Sequence, residues 1–227
     1  MIRLFVPSEL GDNQTLSLSA EHQHYLLHVM RQKAGDSLAL FNGKDGEWQA
    51  RIEALDKKQA VLQTEHLLRP QTIEQKLILC PALIKKEHMD WVFQKATELG
   101  ASEIYPLLTD RTVISKLNID RARSIVTEAA EQCERLTVPQ IHTPQKLRDF
   151  LAHLPADYQP ICLSERTDSQ GQIDPQKIPA LCIGPEGGWT PTELDLFKSY
   201  SIPFWHFGHT ILRAETAALV ALTCFAK

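Results

Sequence analysis

The hydrophobic pattern of this 227-residue chain changes near residue 70, and this change constrains the fold more than any other feature. Before it, short alternating or apolar runs are typical of strands. After it, apolar runs of buried-strand type alternate with segments of helical periodicity. Such alternation predicts an α/β domain with a parallel sheet covered by helices. Arg69–Thr72 is the predicted linker, so we expect two domains, residues 1–71 and residues 72–227.

The first domain is predicted to be a small β-barrel with one short helix. Its strand-type runs are Ile2–Val6, Thr15–Leu18, Asp36–Phe41, Trp48–Leu55 and Ala60–Leu68. The turn Asn42–Gly46 contains both an Asn-Gly and an Asp-Gly pair, which is a strong hairpin signal. Apolar residues at helical spacing predict a helix over Glu21–Arg31.

The second domain is predicted to contain five strands and five helices. The predicted strands are Lys76–Leu83, Glu103–Leu108, Pro160–Leu163, Ala180–Ile183 and Pro203–Phe207. The predicted helices are a segment that includes Met89–Ala96 and ends at Gly100, Asp120–Leu136, Pro144–Leu154, a helix that begins at the capping box Thr190–Glu193, and Ala214–Ala226.

Composition excludes several classes of protein. Lys and Arg number 24 against 28 Asp and Glu, a net charge of −4 that argues against a histone-like nucleic-acid binder but allows a local basic groove. No apolar run approaches the roughly eighteen residues of a membrane helix. Neither a signal peptide nor a CxxC pair is present, so we expect a cytoplasmic protein with reduced cysteines.

Two loops of the second domain are candidates for a binding site. Gly184–Gly188 (GPEGG) joins a buried strand to a capped helix, and in α/β sheets ligands bind at the carboxyl ends of strands. No Gly-Lys-Ser/Thr or GxGxxG pattern is present, so the loop either binds a ligand without phosphates or is only a tight turn. The other loop leads from Phe207 to Arg213 and Glu215, which begin an apolar helix and form either a surface ion pair or part of a site.

The sequences GPEGGWTPTEL and FGHTILRAETAALVAL resemble the signature of the SPOUT methyltransferases. The chain is most similar to the RsmE family, which methylates N3 of a uridine in small-subunit ribosomal RNA. Five further matches follow in the family's order along nearly the whole chain: Arg3–Phe5, His24–Leu26, Val29–Arg31 with Gly35 and Asp36, Lys95–Gly100, and Glu128–Arg135 with Pro139.

This resemblance implies a PUA-like β-barrel RNA-binding domain followed by an α/β domain with a deep trefoil knot. It implies S-adenosyl-L-methionine as the methyl donor, 16S ribosomal RNA of the small subunit as the substrate, and a homodimer with no metal and no membrane association. His24 and His28 lie four residues apart, but no matching cluster completes a metal site.

The resemblance also implies residue roles. Three loops are expected to bind the cofactor, mostly through backbone groups, with Glu186 either binding it or fixing its loop. The cofactor-binding candidates are Leu163, Ser164, Ile183, Gly184, Pro185, Glu186, Gly187, Gly188, Gly208, Ile211, Leu212 and Arg213. The RNA-binding candidates are Arg3, Arg31, Arg111 and Arg135.

Catalysis requires that uridine N3 lose its proton, so the site needs a base or a cation that stabilises the uracil anion. Arg213 is the candidate cation, and Glu215 and Glu186 are candidate bases. Two alternatives remain: another SPOUT enzyme that methylates a transfer RNA base or a ribose 2′-hydroxyl, or a non-catalytic RNA-binding assembly factor.

Overall fold

The computed structural model describes residues 1–165, 171–208 and 210–226. The chain divides into two compact units. The N-terminal unit comprises Met1–Glu74 and Ala130–Val138, and the C-terminal unit comprises Gln75–Ala129 and Pro139–Lys227. Among the described residues, no helix has the length and apolar character needed to cross a membrane.

The N-terminal unit is built on a five-stranded sheet. Its strands are β1 (Arg3–Phe5), β2 (Thr15–Ser17), β3 (Ser37–Phe41), β4 (Glu47–Leu55) and β5 (Ala60–Arg69), in the spatial order β1-β3-β4-β5-β2. β1 pairs parallel to β3, and the other pairs are antiparallel. The predicted hairpin is confirmed, because β3 and β4 pair across the turn Asn42–Gly46. Inward-facing residues such as Leu38, Ile52 and Leu62 form one apolar core.

The helix predicted over Glu21–Arg31 is shorter and irregular. Helix α1 (Ala20–His24) is capped by the Ser19 hydroxyl and continues into a π-helical turn, Tyr25–Val29. Only Leu26 of this turn is buried. Arg31 then takes a φ of +53°, a left-handed conformation that ends the helix.

Residues 130–138 pack into the N-terminal unit although they are distant from it in sequence. Phe41, Ala130 and Leu136 form a small buried cluster. The Arg3 guanidinium bonds to the Glu47 carboxylate and to the carbonyls of Ala130, Glu131 and Arg135. A local hydrophobic pattern carries no information about such long-range contacts. The predicted first domain, residues 1–71, therefore did not include residues 130–138.

The C-terminal unit contains a six-stranded sheet in which every pair is parallel, as predicted. Its strands are β6 (Ile78–Pro81), β7 (Glu103–Ile104), β9 (Gln140–Ile141), β11 (Tyr158–Leu163), β12 (Ile178–Ile183) and β13 (Phe204–Trp205), in the order β13-β11-β12-β6-β7-β9. The helices are α2 (Lys86–Glu98), α3 (Ile119–Gln132, whose last residues belong to the N-terminal unit), α4 (Leu147–His153), α5 (Pro191–Ser199) and α6 (Ala214–Phe225).

Three elements predicted for residues 72–227 were wrong in extent. The helix expected over Asp120–Leu136 ends at Gln132, and Glu134 beyond it takes a φ of +62°, a left-handed conformation that does not continue a helix. The strand expected over Glu103–Leu108 is two short strands, β7 and β8 (Leu107–Leu108), because Pro106 has no amide hydrogen for a continuous ladder. β8 pairs with β10 (Gln145–Lys146) in a separate two-stranded sheet. This pairing uses residues that were predicted to be helical, so α4 begins at Leu147 and not at Pro144.

The cysteines are all free, as expected for reduced thiols. Cys162, Cys182 and Cys80 are adjacent partners across β11, β12 and β6, and all three are fully buried. Burial raises the pKa of the Cys80 and Cys162 thiols, so both stay protonated and act as small apolar side chains.

Candidate active site

A cavity of about 280 Å³ lies at the carboxyl ends of β11, β12 and β13. Three loops form it: residues 163–165 after β11, residues 183–189 after β12, and the segment between β13 and α6. Parallel strands bring their carboxyl ends to one edge of the sheet, so loops that are distant in sequence converge there. The volume is close to the lower end of ordinary small-ligand sites, roughly 300–1,000 Å³.

Two side-chain contacts hold the three loops together. Trp189 Nε1 donates a hydrogen bond of 2.9 Å to the Leu163 carbonyl, which joins the first loop to the second. The Glu165 carboxylate accepts a hydrogen bond from the Leu212 backbone amide, which joins the first loop to the third. These two hydrogen bonds therefore fix the first loop to each of the other two loops.

The glycine-rich loop has positions where glycine is required. A Cβ atom at Gly184 would lie 3.2–3.4 Å from the Trp189 indole ring, which leaves little room for any side chain. Gly188 takes a φ of +69°, and its amide donates a hydrogen bond of 2.8 Å to the Pro185 carbonyl, closing a turn. Glycine adopts this conformation without steric cost. The loop is thus a tight turn and at the same time one wall of the cavity.

The capping box predicted at the start of α5 is confirmed. The Thr190 hydroxyl accepts from the Glu193 amide, Glu193 Oε2 accepts from the Thr190 amide, and Pro191 occupies the first turn. Glu193 is 5% exposed, and its other carboxylate oxygen accepts a 2.9 Å hydrogen bond from the Asp110 amide. The Thr190 hydroxyl also donates to Asp110 Oδ2 at 2.8 Å. These contacts fix the loop that carries Arg111 beside the glycine-rich loop.

Arg111 lies at the cavity, although the sequence suggested only an RNA contact. Its guanidinium donates a hydrogen bond to the Gly187 carbonyl, and its aliphatic chain packs against Gly187. The side chain is exposed, so one side of the guanidinium stays accessible to an anionic ligand. The role of Arg111 as an RNA contact remains a prediction.

The structure brings together nearly all of the predicted cofactor-binding residues. Those that line the cavity are Leu163, Ser164, Ile183, Gly184, Pro185, Glu186, Gly187, Gly188, Ile211, Leu212 and Arg213. Gly208 does not line it; its amide instead lies 3.3 Å from the His206 ring nitrogen. His209, which belongs to the same motif, lies outside the described residues.

The two catalytic candidates have different surroundings. Arg213 lines the cavity, is exposed and directly precedes α6 as its N-cap residue. Glu215 does not line the cavity. Its Oε1 lies 3.7 Å from His88 Nδ1 on α2, and its side chain is only 12% exposed. Glu215 therefore belongs to the contact between α2 and α6, and the structure does not support it as the base.

Two predicted RNA contacts have structural roles instead. The Arg3 side chain is 7% exposed and is held by Glu47 and three backbone carbonyls. The Arg135 side chain is 10% exposed and bonds to Glu74 and Thr137. A phosphate would have to displace these contacts within the N-terminal unit, so we correct both assignments. Arg31 is exposed and remains a predicted RNA contact.

Sequence reasoning missed several cavity residues. Glu165 is the most important of them, because it is a carboxylate on the wall and binds the Leu212 amide. It directly follows Leu163 and Ser164, so its position after a buried strand was the signal. The other missed wall residues are Trp189, Leu194, Trp205, His206, Phe207, Ala214 and Ala217.

Comparisons with known proteins agree with the two-domain fold. The model of an RNA methyltransferase domain matches residues 71–226, and the model of an RNA methyltransferase PUA domain matches residues 18–65. The chain is 34% identical to the ribosomal RNA small subunit methyltransferase E of Rickettsia conorii, covering 97% of this chain and 93% of that protein. It is 33% identical to the protein of the same name from Synechocystis, covering 97% and 75%.

Solved structures are similar over the same extent. A putative methyltransferase from Legionella pneumophila in complex with the cofactor SAM has a TM-score of 0.88 and 32% identity, covering 98% of this chain and 96% of that chain. A ribosomal RNA small subunit methyltransferase E from Neisseria gonorrhoeae bound to S-adenosyl methionine has a TM-score of 0.88 and 28% identity, covering 99% and 96%.

Proposed function

Since the chain belongs to the RNA methyltransferase family and has its PUA-like domain and SPOUT fold, we propose that it methylates N3 of a uridine in 16S ribosomal RNA. The proposed methyl donor is S-adenosyl-L-methionine, as the names of the similar solved structures suggest. The observation that carries the proposal is the three-loop cavity at the carboxyl ends of β11, β12 and β13. The names of the curated relatives support small-subunit RNA as the substrate.

The cavity fits this cofactor in its chemistry. S-adenosylmethionine has no phosphates, and its other groups can bind to the backbone that the glycine-rich loop exposes. The described part of the wall has no lysine, and its cations are Arg111 and Arg213. Gly184 and Gly188 allow close approach of the backbone, and the apolar side chains of Leu163, Ile183 and Leu212 suit a flat adenine ring. Glu165 and Glu186 are acidic wall residues, which favour a nearby sulfonium cation.

When bound, the cofactor supplies an electrophilic methyl group. The protein must position uridine N3 in line with that group and remove its proton. Arg213 lies at the wall and is exposed, so its guanidinium stabilises negative charge on the uracil or holds its phosphate. Glu186 is exposed at the cavity and is the remaining candidate base of the two that the sequence suggested.

Finer features of the family are part of the proposal. We include a trefoil knot in the C-terminal unit, a homodimer in which the active site lies near the subunit interface, and a cytoplasmic location. Arg31 and Arg111 remain the proposed RNA contacts, because both are exposed. Assembled small subunits, and not bare RNA, are the proposed substrate, since a chain of net charge −4 must bind RNA locally and by shape.

A methyl-transfer assay tests the proposal. Purified protein and labelled S-adenosylmethionine are mixed with small ribosomal subunits that lack the modification, and the digested RNA is analysed by mass spectrometry. We expect 3-methyluridine. Label at a ribose 2′-hydroxyl, or label only when transfer RNA replaces the subunits in a parallel reaction, would assign the chain to another SPOUT activity. Cofactor binding without label in any RNA would contradict the proposed substrate.

A further inference from the structure

The C-terminal unit contains a second cavity of about 300 Å³ that shares no lining residue with the first. It is lined by residues that follow β7 and β9, together with β10 and α4. Since β9 and β13 lie at opposite edges of the sheet, the two cavities belong to different halves of this unit. The methyl-transfer chemistry proposed above makes no use of the second cavity.

Stacked aromatic rings form part of the wall of this second cavity. The Tyr105 and His142 rings lie parallel, with centroids 3.7 Å apart and an interplanar angle of 10°. The centroid of the Phe150 ring lies 5.5 Å from that of Tyr105. Aromatic side chains of this kind accept a further flat ring, such as an unstacked RNA base. Gln145 and His153 also line the cavity and supply polar groups for the edge of a heterocycle.

The aromatic wall is held rigidly from behind. Glu103 accepts hydrogen bonds from the Tyr158 hydroxyl, the Tyr105 hydroxyl at 3.0 Å and His142 Nε2 at 2.9 Å. Burial alone would raise the pKa of Glu103, but hydrogen bonds from Tyr158, His142 and Tyr105 outweigh it and lower the pKa. The carboxylate therefore stays ionised and fixes both rings, and a pre-organised wall lowers the entropic cost of binding.

Two basic residues lie close to the cavity wall in sequence, although neither of them lines the cavity. Lys146 on β10 is one residue beyond the wall residue Gln145 and Arg148 on α4 is three residues beyond it, and both are exposed. Neither forms an ion pair within residues 1–165, 171–208 and 210–226. Asp149 in the first turn of α4 and the ionised Glu103 behind the wall offset these two cations, so the four local charges sum to zero. Phosphates beside a bound base would meet these two cations.

We propose that this second cavity binds one unpaired nucleobase of the RNA substrate, with Lys146 and Arg148 contacting the phosphates on either side. The proposal rests on the RNA methyltransferase function proposed above and deepens it. It gives the C-terminal unit an RNA-recognition site separate from the methyl-transfer cavity, which explains how a chain with an acidic net charge selects its RNA.

Two full-length variants test the proposal by different routes. Lys146→Gln/Arg148→Gln removes the two cations at the surface, and His153→Trp places an indole in the cavity. The matched control is Lys177→Gln/Lys198→Gln, which removes two exposed lysines of the same unit away from this wall. Thermal unfolding of each variant establishes that it is folded.

The first readout is the affinity of fluorescently labelled protein for small ribosomal subunits that lack the modification, measured by anisotropy over a range of salt concentrations. We expect at least a fivefold loss for both variants and none for the control. The salt dependence of the charge variant should weaken by about one unit of slope for each lost cation. Wild-type affinity and an unchanged salt slope in both folded variants would overturn the proposal.

The second readout separates this proposal from the proposed function. In the methyl-transfer assay, both variants should raise KM for small subunits at least fivefold, while kcat and the Kd for S-adenosylmethionine stay within twofold. If wild type does not methylate the subunits, the proposed function fails, and the anisotropy result alone decides the second cavity. An unchanged KM in both variants of an active enzyme would contradict the role in substrate recognition.

Discussion

We propose Arg213 as the cation that acts on the substrate, because it lines the cavity, remains exposed and precedes α6. Its position supports the prediction from sequence, whereas Glu215 two residues later lies in a helix contact with His88. A shift of two residues at a helix start thus separates a cavity residue from one that packs between helices. The first test is therefore a substitution of Arg213.

We expect Arg213→Ala to lower kcat by roughly 10²–10³-fold, the usual loss when one group that stabilises developing charge is removed. The Kd for S-adenosylmethionine, measured by calorimetry, should change little if the guanidinium acts on the uracil. Arg213→Lys retains the charge and should recover part of the activity. Wild-type kcat in the alanine variant would exclude the assigned role.

Glu165 is predicted to matter for cofactor binding through the loop that it holds. Glu165→Ala removes the acceptor of the Leu212 amide, and a lost hydrogen bond to a charged group corresponds to roughly tenfold or more in affinity. Calorimetry should therefore show a weaker Kd for S-adenosylmethionine. Glu165→Gln keeps a carbonyl acceptor and is the matched control. Equal affinity in the alanine variant and wild type would show that the link is dispensable.

The role of a single residue could be predicted from the sequence only where the partners of its side chain are near in sequence. The place of the glycine-rich loop between a buried strand and a capped helix was predicted correctly, because its spacing and its capping box are local. Arg3 and Arg135 were assigned wrongly because their partners lie elsewhere in the chain: Glu47 and the carbonyls of residues 130–135 for Arg3, and Glu74 for Arg135. The sequence of a motif alone does not distinguish an arginine that binds phosphate from one that binds a buried carboxylate.

At the scale of the element, the start of α5 links local helix chemistry to the site. Thr190 caps the helix and also bonds Asp110, the neighbour of Arg111. We expect Thr190→Ala to lower the free energy of unfolding by about 1 kcal/mol, the typical loss for an N-cap hydroxyl. Urea unfolding measures this change. Thr192→Ala, an exposed threonine in the same first turn, is the control and should have little effect.

Element boundaries were predicted well where a local signal marks them and poorly where pairing decides them. The capping box fixed the start of α5, and α6 begins at Ala214 as expected. By contrast, Gln145–Lys146 became a strand because Leu107–Leu108 was available to pair with it. The π-helical turn Tyr25–Val29 likewise has no sequence signal distinct from that of an α-helix.

At the scale of the whole molecule, acid sensitivity follows from buried carboxylates in both units. Burial would raise the pKa of Glu47, but Arg69 and Arg3 outweigh it, so its pKa is lowered in the folded protein. A lowered pKa adds stability above the unfolded value of about 4.5, and this stability is lost as the pH falls through the folded value. The pKa of Glu103 in the C-terminal unit is also lowered, so its contribution to stability is lost in the same direction of pH.

Glu47→Gln tests this prediction. At pH 7 it leaves the guanidinium of Arg3 without its carboxylate, so we expect a loss of about 3 kcal/mol, in the range for a broken buried pair. The difference from wild type should shrink as the pH falls below the unfolded value of about 4.5 and through the lowered pKa of folded Glu47. Urea midpoints from pH 7 to pH 3 provide the measurement, with the exposed Glu53→Gln as control. A constant difference across this range would refute the pKa argument.

The packing of residues 130–138 into the N-terminal unit has a consequence for the order in which the protein is made. Translation delivers β1 well before residues 130–138, yet the three carbonyls that hold Arg3 belong to Ala130, Glu131 and Arg135. Phe41 likewise cannot complete its buried cluster until Ala130 and Leu136 have been synthesised. The unit that leaves the ribosome first is therefore completed only after more than half of the chain has been synthesised, so a nascent chain carries an unfinished N-terminal unit through much of its elongation.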